Sequence, residues 1–325
     1  MYIEQAFKGL HEWWRYIIGL VIIFCSWQIV GMFPLALAIV YKSFQTGESA
    51  MVSTIPEMMD LLGSNLFLFV MLISFAFGLL GVFATAKGLH KLPITNLTTA
   101  RKKIDWKRFW FTFILWGAVS TVFIFVDYFL TPEDYLWNFK WQPFLILCAI
   151  AIVLIPLQTS FEEYFFRGYL MQGFGIIFKN KWLPLMITSV TFGLMHLANP
   201  EVEQLGYIIM VYYIGTGLFL GIITLMDDGL ELALGFHAAN NLFTALLVSA
   251  DWTAFQTHSI FKDLSDPNEM GLMEIFVPVF VVFPILLFVF SKKYKWTDWK
   301  GKLLGKIEAP EPINNINLKN YDTEL

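Results

Sequence analysis

Long apolar runs separated by short polar segments are the dominant pattern of this chain. A helix needs about 20 apolar residues to cross the hydrocarbon core of a bilayer. Eight runs come close to that length, at residues 17–41, 66–86, 109–130, 143–178, 182–198, 205–226, 230–250 and 275–291. The pattern therefore predicts an all-α polytopic membrane protein with about eight transmembrane helices.

The fourth run is too long for one straight span. As a helix its 36 residues would extend about 54 Å, at roughly 1.5 Å per residue. Pro156 lies near the middle of the run, and a proline removes one helical hydrogen bond. We therefore expect this helix to bend or break near Pro156.

Composition agrees with a lipid environment. The chain is 57% hydrophobic and 15% charged, against roughly 45–50% and 25% for a soluble domain. So little polar surface excludes a conventional water-soluble enzyme. The formal net charge is −4, and the basic residues form no run interleaved with aromatic residues, which excludes nucleic acid as a partner. Cys25 and Cys148 both lie inside apolar runs, so no disulfide framework is predicted.

The distribution of lysine and arginine predicts the orientation. With eight spans both termini share one side of the membrane, and that side holds 18 of the 22 basic residues. The other side holds Lys42, Lys140 and Lys262, while Arg167 lies within a span. Basic residues are enriched in cytoplasmic loops. Both termini are therefore predicted to be cytoplasmic.

Ionisable residues inside the spans are the first candidates for chemistry, because each costs about 2.5–3.5 kcal/mol to insert. Glu162 and Glu163 are adjacent, and Glu163 is four residues before Arg167. Residues four apart share a helix face, whereas adjacent ones differ by about 100°. One acid is thus predicted to pair with Arg167 while the other faces a cavity. The alternative is a helix start, because Ser160 and Glu163 have the spacing of a capping box.

Two further polar positions follow on later spans. His196 comes four residues after Phe192, near the end of the fifth predicted span, and His237 comes four residues before Asn241 on the seventh. Counted from the neighbouring loops, Glu162, His196 and Asn241 lie at similar depth, so a carboxylate, an imidazole and an amide are predicted to meet inside the membrane. Taken singly, a histidine such as His196 is more often structural than catalytic, and helix–helix hydrogen bonding is the simpler explanation for His237 and Asn241.

Together these motifs resemble the CAAX-protease and bacteriocin-processing family, also called the CPBP or Abi family, which is related to the eukaryotic prenyl-protein endopeptidase. The family pattern is Glu-Glu-x-x-x-Arg, then Phe-x-x-x-His, then His-x-x-x-Asn. It is met here by Glu162, Glu163, Arg167, Phe192, His196, His237 and Asn241. The resemblance covers residues 143–250. We therefore expect four parts: three N-terminal spans at 1–142, a core at 143–250 that carries the motifs, a loop and last span at 251–299, and a flexible polar tail at 300–325.

The resemblance implies an intramembrane endopeptidase with an eight-helix core. Glu162 and His196 would activate a water, and His237 with Asn241 would form the oxyanion hole. Glu163 and Arg167 would support the site. No metal is the favoured expectation; the alternative is a zinc-dependent peptidase with Glu162, His196 and His237 as ligands, since two histidines and a glutamate can bind zinc.

Two other classes of function remain open, a non-catalytic membrane scaffold or bacteriocin-immunity protein and a proton-coupled transporter. The expected partners are a peptide or protein substrate, with or without an attached lipid, and membrane lipids. The expected location is the plasma membrane for a bacterial source and the endoplasmic reticulum for a eukaryotic one. Gly217 and Gly221 have the spacing of a helix-packing motif, and the segment 251–271 is expected to be an external loop.

Overall fold

The computed structural model describes residues 1–47, 51–52, 54–267 and 271–310. These residues form eight principal helices, which we number in chain order. They are α1 (Trp13–Thr46), α2 (Ser64–Leu89), α3 (Trp106–Leu130), α4 (Trp141–Phe178), α5 (Trp182–Leu194), α6 (Pro200–Asp227), α7 (Glu231–Leu247) and α8 (Leu272–Tyr294). The prediction of an all-α, multi-pass membrane protein is confirmed.

Six of these helices are long and apolar enough to cross a membrane by themselves, namely all except α5 and α7. The two exceptions have 13 and 17 residues. Helix α7 is buried along most of its length by neighbouring protein. A helix enclosed in this way does not need the length of a lipid-facing span. The number of eight spans and the cytoplasmic termini stay predictions.

The connections contain short helices and one small sheet. The short helices are Ile3–Lys8, Ile55–Leu62, Ile94–Thr98, Pro132–Asp134 and Trp299–Leu304. Strands β1 (Tyr135–Trp137), β2 (Val248–Ala250) and β3 (Phe261–Asp263) form a sheet in the order β1-β3-β2. Strand β3 pairs antiparallel with β1 and parallel with β2. Within the segment 251–271, which was expected to be an external loop, Phe261–Asp263 thus forms a strand and Phe261 is buried; the external location stays a prediction.

Helix α4 does not break at Pro156. Its α-helical part runs through the proline as far as Glu163, and a π-helical segment, Tyr164–Leu170, then continues it towards Phe178. A proline removes one hydrogen bond, and here the helix on both sides stays continuous. Ser160 consequently lies inside the helix, so the alternative of a helix start at this point was also wrong. The irregular turn lies after the two glutamates, at the segment that contains Arg167.

Helix α5 ends earlier than the apolar pattern predicts. It stops at Leu194, and the chain then turns with backbone hydrogen bonds from His196 to Gly193 and from Leu197 to Leu194. Pro200 begins the next helix, and a proline disfavours helical backbone in the residue before it. His196 therefore lies on a turn beyond the end of α5 rather than within a transmembrane helix.

Helix α4 lies at the centre of the site-bearing half of the protein. It packs against α2 and α7, while α7 also packs against α3, and α6 packs against α5. Close approach between α5 and α6 occurs at Gly217 and Gly221, where an added Cβ would lie 2.6 Å from the Ser189 carbonyl oxygen and 2.5 Å from the Leu185 side chain. The prediction that these glycines serve helix packing is confirmed.

The described part of the C-terminal tail is folded against the rest of the protein. Trp299–Leu304 is helical, and the Lys302 ammonium pairs with Asp228. Ile307 is buried, and its backbone N–H donates to the Lys179 carbonyl. The expectation of a flexible tail was wrong for residues 300–310. Residues 311–325 lie outside the described part of the chain.

Candidate active site

Glu162 and Glu163 face different surroundings, as their positions on one helix predict. Glu163 is completely buried, and its Oε1 accepts a hydrogen bond of 2.8 Å from Arg167 Nη1. Arg167 is equally buried and donates from Nη2 to the Gly217 carbonyl at 3.0 Å, with its guanidinium 4.4 Å from the centre of the Phe192 ring. The buried guanidinium of Arg167 thus links α4, through Glu163, to the backbone of α6.

His237 connects the two glutamates. Its Nδ1 lies 2.8 Å from Glu163 Oε1, and its Nε2 lies 3.5 Å from Glu162 Oε2. An ionised Glu163 beside Arg167 accepts hydrogen bonds only, so Nδ1 of His237 carries a proton. The remaining nitrogen then faces Glu162. At 3.5 Å this contact is longer than the hydrogen bond of 2.8 Å that His237 forms with Glu163.

A chain of side-chain amides holds the other oxygen of Glu162. Trp116 Nε1 donates to Asn240 at 3.1 Å, and Asn240 donates to Asn241 at 3.1 Å. Asn241 then donates to Gln158 at 3.1 Å, and Gln158 donates to Glu162 Oε1 at 2.6 Å. Every donor in this chain points towards the carboxylate. Because each amide has one partner for its oxygen and one for its nitrogen, the orientation of all three amides is fixed.

Two contacts hold the ring of His196, one with Phe192 of α5 and one with Tyr213 of α6. Nδ1 lies 2.8 Å from the Phe192 carbonyl oxygen, which can only accept, so this nitrogen carries a proton. The ring stacks on Tyr213 with a centroid distance of 4.4 Å and an interplanar angle of 20°. In the neutral ring Nε2 is therefore an unprotonated nitrogen that can accept a proton.

Three of the predicted residues border one cavity. Its volume is about 350 Å³, and its polar lining includes Gln158, Glu162, His196, Glu201, Tyr213 and Asn241. A carboxylate, an imidazole and an amide thus border the same cavity, while their depth in the membrane stays a prediction. Glu163 and His237 are not among the lining residues and lie behind Glu162. A larger groove of about 700 Å³ between α3 and α8 contains none of the predicted site residues.

An aromatic wall forms another side of this cavity. It consists of Trp27, Phe75, Phe161 and Phe165, whose neighbouring rings have centroid distances of 5.1 to 5.9 Å. An aromatic surface of this kind can bind an apolar group of a substrate. The polar residues of the same cavity are then close to the rest of that substrate.

A three-ligand zinc site does not fit the described residues. No group of three His, Cys, Asp or Glu residues among them is placed to hold a metal ion. His237 directs one nitrogen to Glu163 and the other to Glu162, and one nitrogen of His196 is bonded to a backbone carbonyl. The set Glu162, His196 and His237 therefore lacks the convergence that zinc requires.

Some residues of the site are outside the three motifs. Gln158 and Asn240 hold Glu162 and Asn241, and Glu201 and Tyr213 border the cavity beside His196. A sequence signal exists for Gln158, which is a polar residue in an apolar span and lies one helical turn before Glu162. Glu201 and Tyr213 carry no comparable signal, because the fold of the turn after α5 brings them to the cavity.

Comparisons with known proteins agree with this site. Residues 140–243 match the family model described as Type II CAAX prenyl endopeptidase Rce1-like, and all six predicted site residues lie within this range. The uncharacterized protein YyaK of Bacillus subtilis (strain 168) is 29% identical over 222 residues, which cover 68% of this chain and 74% of that protein. No solved structure matches the chain significantly. The resemblance carried by the three motifs is therefore confirmed, since the site-bearing segment of this chain is similar to the Rce1-like type II CAAX prenyl endopeptidases.

Proposed function

We propose that this protein is an intramembrane endopeptidase of the CAAX-protease type, which hydrolyses a peptide bond in a membrane-associated peptide or protein. The observation that carries the proposal is that Glu162, His196 and Asn241 border one cavity beside an aromatic wall. A base, a proton carrier and an amide donor are the groups that hydrolysis of a peptide bond requires. The match of residues 140–243 to the Rce1-like family model supports peptidase activity in general.

Glu162 is the general base in this proposal. Gln158 fixes its Oε1, while its Oε2 has no hydrogen-bond partner among the described groups and faces His237 at 3.5 Å. His237 is in turn oriented by Glu163. A water in the cavity gives one proton to the pair Glu162 and His196 as its oxygen attacks the carbonyl carbon. The same proton passes to the leaving nitrogen when the C–N bond breaks.

Asn241 supplies a hydrogen bond to the oxyanion in this proposal. The amide nitrogen of Asn241 uses one N–H on Gln158, and its second N–H is available to the cavity. The expected second donor, His237, does not border the cavity, because its nitrogens face Glu163 and Glu162; its role in this proposal is to orient Glu162. Removal of one such donor from other hydrolases costs about 2.7–4 kcal/mol of transition-state stabilisation. Glu163 and Arg167 act through His237 and through the packing of α4 on α6, and do not touch the substrate.

In this proposal Glu162 and His196 activate the water without a metal. This agrees with the described residues, among which no three His, Cys, Asp or Glu side chains are grouped to hold a metal ion. The two chemistries predict different responses to a chelator. Metal-free hydrolysis continues in the presence of a zinc chelator, whereas a zinc peptidase loses activity and regains it when zinc is returned.

Cleavage of peptides by purified protein tests the proposal. Wild type in detergent is incubated with a peptide library that includes farnesylated CAAX peptides, with and without a zinc chelator. We expect cleavage that resists chelation and falls at least about 10³-fold in Glu162→Gln and His196→Ala. The matched control is Glu203→Gln, which removes an exposed carboxylate outside the cavity. No cleavage of any peptide by folded wild type would contradict the proposal and favour a scaffold.

A further inference from the structure

The charges around the cavity are unbalanced. Two carboxylates, Glu162 and Glu201, border it, and its lining contains no lysine or arginine. Glu162 has partners in Gln158 and His237. Glu201 forms no ion pair with any described basic side chain. A site with this charge attracts a cationic group rather than an anionic one.

One carboxylate oxygen of Glu201 accepts a hydrogen bond, and the other has no partner among the described residues. It lies in the first turn of α6, and its Oε1 accepts a hydrogen bond of 2.9 Å from the backbone N–H of Ala254. Its Oε2 is buried and has no hydrogen-bond partner among the described residues. A buried polar atom without a partner is costly. A donor from a bound molecule removes that cost.

The neighbours of Glu201 connect it to the site. Glu201, His196 and Tyr213 border the same cavity, the rings of His196 and Tyr213 stack on each other, and Asn199 donates to the Tyr213 hydroxyl at 3.4 Å. Glu201 thus borders the same cavity as the imidazole that carries the proton in the proposed reaction. A substrate group bound there is close to the scissile bond.

We propose that Glu201 is a specificity-determining residue that binds a cationic group of the substrate, such as a lysine or arginine side chain near the cleaved bond. This inference rests on the proposed function, because it assigns a subsite of the same cavity. The substrate then combines an apolar part on the aromatic wall with a basic part on Glu201. An ammonium or guanidinium donates to Oε2 while its charge pairs with the carboxylate.

Binding in the absence of turnover tests this subsite. The probes are fluorescein-labelled lauroyl-Ala-Lys-Ala-amide and the same peptide with norleucine in place of lysine. They are titrated against Glu162→Gln protein in nanodiscs of uncharged lipid, with fluorescence polarisation as the readout. We expect the lysine peptide to bind about tenfold more tightly than the norleucine peptide. In Glu162→Gln/Glu201→Gln the two peptides bind equally.

The substitution Glu201→Gln removes the charge and keeps an oxygen that accepts from Ala254, so the fold of the turn is retained. Glu203→Gln in the same background is the matched control, because Glu203 is exposed on the same helix and does not border the cavity. This control must keep the preference for lysine. Equal binding of both peptides to Glu162→Gln, or a preference that survives Glu201→Gln, overturns the inference.

Cleavage assays separate this inference from the proposed function. If wild type cleaves peptides without regard to a neighbouring basic residue, the proposed function stands and the subsite on Glu201 is wrong. If Glu201-dependent binding of the lysine peptide is found and no peptide is cleaved, the cationic subsite stands and the peptidase proposal is wrong.

Discussion

The side-chain amide of Gln158 donates a hydrogen bond of 2.6 Å to Oε1 of Glu162. Because the oxygen of the same amide accepts from Asn241 at 3.1 Å, the proposed base and the proposed oxyanion donor are held by one residue. Gln158 is buried on α4, one helical turn before Glu162. This arrangement makes the geometry of the two proposed catalytic groups depend on a side chain to which the proposed mechanism gives no reacting role.

Loss of this amide is therefore expected to lower turnover more than substrate binding. In Gln158→Leu the carboxylate and the Asn241 amide both lose a fixed partner, and a misplacement of about 1 Å costs roughly 10²-fold in rate. We expect kcat to fall by about that factor with KM nearly unchanged, measured on any peptide that wild type cleaves. Gln172→Leu is the control, since it removes another buried glutamine that binds the Asn96 carbonyl away from the site. A Gln158→Leu protein with the wild-type kcat would contradict the role assigned to Gln158.

The buried pair of Glu163 and Arg167 is expected to govern stability. Removal of one member leaves an unpaired buried charge, which costs about 3–5 kcal/mol. Arg167→Met should therefore lower the free energy of unfolding strongly, and the double variant Glu163→Gln/Arg167→Met should recover part of the loss. Thermal unfolding in detergent, followed by tryptophan fluorescence, measures both effects.

A surface pair provides the comparison for Arg167. Lys262 and Asp251 lie 2.8 Å apart with both side chains partly or largely exposed, and such pairs contribute roughly 0–1 kcal/mol. Lys262→Met should leave the unfolding temperature nearly unchanged. Equal effects of Lys262→Met and Arg167→Met would show that burial of the Glu163–Arg167 pair has no energetic consequence.

Gly217 and Gly221 are expected to differ in their tolerance of alanine. At Gly217 a new methyl group would meet the backbone oxygen of Ser189, which cannot move without shifting α5. At Gly221 it would meet the end of the Leu185 side chain, which can rotate away. We expect Gly217→Ala to destabilise by about 1–3 kcal/mol and Gly221→Ala by less. Unfolding temperatures of the two variants measure the difference, and the reverse order would contradict this packing.

The sequence predicts most of the helices because length and apolarity decide whether a segment crosses a bilayer. The pairing of Glu163 with Arg167 is predictable for a similar reason, since their spacing alone places them on one helix face. The end of α5 is less predictable, because residues 195–198 are as apolar as the helix before them. Only the hydrogen bonds of the turn and Pro200 stop the helix there.

Contacts between helices explain why the rest of the site was not predicted. The partnership of Gln158 with Asn241 depends on the rotation of α4 relative to α7, which no spacing within one helix defines. The unused oxygen of Glu201 depends on the turn that carries His196 and on the Ala254 segment that binds its other oxygen. These features depend on the three-dimensional arrangement of the helices, which the spacing of polar residues within single spans does not define.

His90 is expected to make stability depend on pH. It lies just after α2 and is buried, with Nδ1 2.8 Å from the Leu10 carbonyl oxygen and Nε2 3.0 Å from the Tyr169 hydroxyl. Burial lowers the pKa of His90 below its usual value of 6.5. The unfolded chain therefore binds a proton at a higher pH than the folded protein does. Stability from this residue is complete above about pH 6.5 and is lost as the pH falls towards the folded-state pKa.

The substitution His90→Gln isolates this contribution, because glutamine is polar and does not titrate. Unfolding temperatures of wild type and His90→Gln are measured from pH 8 to pH 5 in the same detergent. Carboxylates that titrate at low pH affect both proteins alike, so the difference between the two curves reports on His90. We expect wild type to lose its advantage over the variant as the pH falls below 6.5. A difference that stays constant across this range would mean that the protonation of His90 is the same in the folded and unfolded states.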